Sequence, residues 1–68
     1  MKKLKYFEVR WYHAGTGQYL GEQRVLPEHY NNDIDFFRRE VEDALRDRLE
    51  ELDVKFMEVY QDGSVKRL

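Results

Sequence analysis

Residues 5–13 read KYFEVRWYH. The stretch alternates: Phe7, Val9 and Trp11 leave the chain on one side, and Tyr6, Glu8, Arg10 and Tyr12 on the other. That is the period of a β-strand, whose successive side chains point to opposite faces. Phe7, Val9 and Trp11 are the expected core face. The second face carries two tyrosines and an arginine, where a solvated sheet face is normally polar.

Working outward, AGTG at 14–17 is a glycine-rich turn, and a second strand over 18–26 completes a hairpin spanning 4–26. Its pattern is mixed. Tyr19, Gly21, Gln23 and Val25 share one parity, and Leu20, Glu22, Arg24 and Leu26 share the other. Gly21 predicts a bulge that switches the facing residues partway. A charged, irregular strand of this kind belongs at a sheet edge.

A loop over 27–32 follows, then a helix over 33–52. Asn31, Asn32 and Asp33 each suit the helix cap, because a short polar side chain accepts a bond from a free amide of the first turn. Ile34, Phe37, Val41, Ala44, Leu45, Leu49 and Leu52 form one apolar stripe at helical spacing. Asp33 and Asp35 lie in the first turn, where the helix dipole favours acids. Arg39 with Asp43, Glu42 with Arg46, and Arg46 with Glu50 are spaced as ion pairs.

Residues 54–68 form a second hairpin about Asp62-Gly63, a dipeptide suited to a two-residue turn. With Gln61 opposite Ser64, Glu58 meets Arg67. Met57, Val59 and Leu68 then face the core, while Phe56, Tyr60 and Val65 face outward. The alternative register turns Val54 and Phe56 inward. The expected fold class is α+β: a single domain over 1–68, β-β-α-β-β, with an antiparallel or mixed sheet and one helix packed on one face.

A chain of 68 residues is one domain. Apolar residues at 41% against 38% charged give a lean core, which ten aromatic side chains supplement. No cysteine is present, so neither a disulfide nor a thiolate zinc site can form. No apolar run approaches the ~20 residues of a membrane span. Met1-Lys2-Lys3 starts like a secretory leader, but no apolar stretch follows. The expectation is a soluble, cytoplasmic protein without membrane contact. Charge is uneven: residues 33–53 hold nine acids against four arginines, and the remainder holds eight basic residues against five acids.

Chemistry-bearing patterns are sparse. Of the two histidines, His13 ends a strand, and His29 lies in a loop with Glu28 and Asp33 at no diagnostic ligand spacing. Gly15-Thr16-Gly17 lacks the lysine and length of a phosphate loop. The paired carboxylates are on a helix surface rather than in a buried dyad. The expectation is therefore no enzyme, no cofactor and no metal.

Binding is the remaining class. Tyr6, Arg10, Tyr12 and Tyr60 on the uncovered sheet face combine the aromatics and arginine that interface centres favour. The competing account is purely structural, since tyrosines suit strands and pair across them. Nucleic-acid binding would use the same rings for stacking, with Lys5, Arg10, Lys55 and Arg67 on phosphates. Glu8, Glu58 and the net charge of −2 speak against it. Phe36 points away from the helix stripe, either folding back on Tyr30 or serving as an anchor. Around it Glu40, Asp43 and Asp47 make an acidic face that is solvated, docks on a basic partner or imitates nucleic acid; Arg39 and Arg46 interrupt it. The expected function is a non-enzymatic protein-binding module, a regulator or inhibitor of a class that includes virus-encoded ones. A single-stranded nucleic-acid binder is one alternative. A structural homodimer, joined by sheet faces or by edge strands, is the other.

Overall fold

The computed structural model describes residues 3–68. Met1 and Lys2, two of the three residues of the leader-like start, lie outside the described residues. The elements are β1 (Leu4–His13), β2 (Tyr19–Val25), a 3₁₀ turn (Pro27–Tyr30), α1 (Ile34–Leu45), a second 3₁₀ turn (Leu49–Glu51), β3 (Leu52–Tyr60) and β4 (Val65–Arg67). The strands form one sheet in the order β2-β1-β3-β4, each antiparallel to its neighbour. The fold is the expected α+β arrangement, and β2 lies at the edge.

β2 and β3 both oppose β1, so they run parallel to each other, and the chain between them must travel back along the sheet. α1 makes that return. It starts at Asp33, whose Oδ1 accepts a bond from the Asp35 amide at 3.0 Å. Asn31 and Asn32 serve the preceding turn instead, with φ of 55° and 54°.

The helix ends at Leu45, short of the expected 52. β3 has to begin at Leu52 to face His13, so residues 46–51 tighten into three-residue bonds. The Arg48 amide reaches the Leu45 carbonyl at 2.7 Å, and the Glu51 amide reaches Arg48 at 2.9 Å. Strand pairing overrides a run of good helix formers. The ion pairs on the helix differ too: Arg38 meets Asp35 at 3.4 Å and Glu42 at 3.7 Å.

Phe37 is the centre of the core. Its ring lies 6.0 Å from Phe7, 5.8 Å from Phe56 and 5.0 Å from Tyr30. Phe7, Val9 and Phe37 are fully buried, with Leu4, Trp11, Val25, Ile34, Val41 and Val54 packed around this cluster.

The C-terminal hairpin corrects the first of the two registers. The Tyr60 amide bonds Ser64 and the Gly63 amide bonds Tyr60, so the loop has three residues, Gln61, Asp62 and Gly63. Gly63 takes φ of 89°, the left-handed position such a loop requires. Asp62 secures it by accepting from both the amide and the hydroxyl of Ser64. The extra residue places Val59 opposite Val65, Glu58 opposite Lys66 and Met57 opposite Arg67. Phe56 and Val54, opposite the core-facing Val9 and Trp11, face α1, while Met57, Val59 and Val65 take the other face.

The bulge in β2 lies where Gly21 marks it. Trp11 faces Gly21 and Tyr12 faces Tyr19, leaving Leu20 as the extra residue. A Cβ on Gly21 would sit 2.9 Å from Trp11 Cζ2, so the indole needs a glycine beneath it. Beyond the bulge Tyr19 joins Tyr12 on the face away from the helix. Among the described residues no helix is long and apolar enough to cross a membrane.

Candidate interaction surface

The face of the sheet away from α1 carries Tyr6, Glu8, Arg10 and Tyr12 from β1, Tyr19, Glu22 and Arg24 from β2, and Met57, Val59 and Val65 from β3 and β4. Glu8 holds its middle. It is only 2% exposed although no element among the described residues covers this side. Two arginines close over it: Arg10 Nε donates to Oε2 and Arg24 Nε donates to Oε1, both at 2.8 Å. Each carboxylate oxygen thus has its own cation, which is what makes the burial tolerable.

Glu22 completes the network, 3.5 Å from Arg24 Nη2 and 3.9 Å from Arg10 Nε. The Tyr19 hydroxyl donates to Glu22 Oε1 at 2.9 Å. The negative charge of Glu8 chiefly raises the Arg10 guanidinium above its ordinary value, and the Glu8 hydrogen bond does the same for Arg24. Both arginines are therefore fixed as cations. The bond to Glu22 raises the Tyr19 phenol.

Rings flank this ionic centre. The Arg24 guanidinium lies 4.9 Å from the Tyr6 centroid and the Lys55 ammonium 5.3 Å from that of Tyr12. Tyr12 and Tyr19 meet edge to face at 5.7 Å. Met57, opposite Glu8, is buried, and Val59 lies opposite Tyr6. An open hollow of about 290 Å³ runs between Tyr6, Arg24 and the β3–β4 side chains Val59 and Val65. The surface combines fixed donors, ring faces and an apolar strip.

No family model, curated protein or solved structure matches this chain.

Of the residues expected to form a site, Tyr6, Arg10 and Tyr12 come together here. Tyr60 pairs with Leu4 and shares the strand parity of Phe56, yet it is among the residues lining the hollow. Phe36 lies on the other side of the molecule, half-buried against Tyr30 at 5.6 Å and 78°. Glu40 and Asp43 are exposed on α1, whereas Asp47 lies past its end. The helix residues and the sheet face are separate surfaces.

Sequence reasoning did not give Arg24, Glu22, Tyr19, Met57 and Val59 to this surface. The signal for the first three is the bulge at Gly21, which moves Tyr19 onto the parity of Glu22 and Arg24. His13 works locally. Its Nδ1 accepts from the amides of Gly15 and Thr16 at 3.1 and 3.2 Å, capping the turn after β1. Among the described residues no His, Cys, Asp or Glu group of three or more is placed to hold a metal.

Proposed function

We propose that the protein is a binding module that recognises another protein through the sheet face centred on Glu8. The observation that carries this is the arrangement of Arg10 and Arg24. Both guanidinium groups are held at Nε by one buried carboxylate, so they are ordered before any partner arrives. Preorganised arginines lose little freedom on binding. Tyrosine, arginine and methionine are the side chains enriched at interface centres, and three tyrosines surround this pair. The partner that suits it presents carboxylates to the guanidinium edges and an apolar side chain to the Val59–Val65 strip. A cytoplasmic setting is part of the proposal, and a cysteine-free chain is compatible with that reducing compartment.

The test is Tyr6→Ser combined with Tyr12→Ser, with the fold checked by circular dichroism and melting. Loss of partner capture at an unchanged melt supports the proposal. Retained capture with a lowered melt assigns the tyrosines to sheet stability alone. Oligonucleotide binding that weakens with salt and disappears in the double variant would give the face to single-stranded nucleic acid instead.

A further inference from the structure

β2 is a sheet edge whose sequence complements itself. Residues 20–26 read LGEQRVL. Turned end for end about Gln23, leucine meets leucine and Glu22 meets Arg24. We propose that two copies of this chain join antiparallel through β2, with Gln23 opposite Gln23 on the two-fold axis. The two four-stranded sheets then become one continuous sheet. Glu22 and Arg24 belong to both surfaces, but the backbone register of the join does not depend on what the tyrosine face binds.

The backbone allows this register. The Leu68 amide bonds the Phe56 carbonyl, so Phe56 turns its backbone groups toward β4 and away from β1. Val9, opposite Phe56, turns its own toward β2, and Gln23, opposite Val9, turns its groups inward to meet them. Glu22 and Arg24 consequently point their amides and carbonyls out of the sheet. An antiparallel ladder alternates pairs that both point toward the seam with pairs that both point away. Glu22 opposite Arg24 is a pair of the first kind, and Gln23 opposite Gln23 is one of the second. Shifting the register by one residue pairs inward groups with outward ones. Centring it on Glu22 or on Arg24 sets like charges face to face.

The side chains agree with the backbone. An edge guarded by charge normally repels a second copy, but Glu-Gln-Arg presents each acid to an arginine of its mate. Leu20 and Leu26 are 44% and 51% exposed, and in this register each lies across from the other. On the helix side, an apolar hollow of about 150 Å³ opens beside β2, lined by Trp11, Gln23, Val41, Ala44 and Leu45. Gln23 would lie on the axis, so the hollows of the two copies would abut there and shield each other.

The chain has no cysteine, which permits a clean crosslinking test. Non-hydrogen-bonded antiparallel partners approach to about 4.5 Å between Cα atoms, within disulfide reach. Gln23→Cys is expected to give a covalent dimer under mild oxidation, whereas Glu22→Cys and Arg24→Cys remain unlinked. Linkage of Glu22→Cys, or none for Gln23→Cys, overturns the register. The second arm is light-scattering mass of the full chain, expected near twice 8.4 kDa at high concentration and falling on dilution. Leu20→Lys with Leu26→Lys, both exposed sites, should hold the mass at 8.4 kDa. Leu20→Lys with Leu26→Asp should restore the dimer, because lysine then faces aspartate. A chain that stays at 8.4 kDa throughout, or a dimer indifferent to the paired lysines, overturns the proposal.

Discussion

Glu8 owes its place to its two cations, and the direction of the substitution decides the outcome. Arg10→Met with Arg24→Met strands the carboxylate, and the expected result is a lower urea midpoint than the parent's. Glu8→Met removes the buried charge and leaves two arginines that are already 41% and 56% exposed. Urea unfolding should place that variant within about 1 kcal/mol of the parent. Tyr19 gives the pH counterpart. Its bond to Glu22 raises the phenol above the ordinary 10.0, so the bond contributes in full below that pH and is lost as pH climbs through the folded value. Glu22→Gln should let Tyr19 ionise earlier, visible in an ultraviolet titration read against Tyr19→Phe. At this scale the sequence marked Tyr6, Arg10 and Tyr12 through strand alternation alone. The burial of Glu8 was not legible, because it depends on Arg24 arriving from another strand.

Ends, more than middles, decide the elements. Asp33→Ala removes the cap of α1 and should cost about 1 kcal/mol. Gly63→Ala forces a side chain into the left-handed region and should cost about 1–2 kcal/mol. Thermal melts of the two single variants and the double variant check both values. They should add, since one site starts the helix and the other turns the last hairpin. The apolar stripe announces α1 and the alternation of residues 5–13 announces β1, since each is a local period. The last turn of the helix and the register of β3 with β4 are not local. Residues 46–51 favour helix by composition, but β3 must meet His13. Asp62-Gly63 fits a two-residue or a three-residue loop equally well, and that single residue decides which β4 side chain opposes each residue of β3, while the pairing of Phe56 with Val9 is what brings Phe56 rather than Met57 into the core.

Across the whole molecule, protection should follow the sheet order. β1 is central and holds Phe7, Glu8 and Val9, all buried, whereas β4 is a three-residue edge with every residue exposed. Hydrogen exchange should be slowest for β1 and the β3 amides facing it, and fastest for β4 and residues 46–48. Equal protection of β4 and β1 would contradict this ordering. Charge is layered in the same way: an acid-rich helix segment covers one side of the sheet, and the opposite side is built around two arginines. The lone tryptophan lies beside one of the two proposed contacts and away from the other. Trp11 stands over Gly21 at the β2 edge, on the side of the sheet opposite the tyrosines. Its fluorescence is thus a native optical label for one location. Joining of two β2 edges should shift the emission, whereas a ligand held by the tyrosines should leave it nearly unchanged, so a single unlabelled cuvette experiment tells one contact from the other.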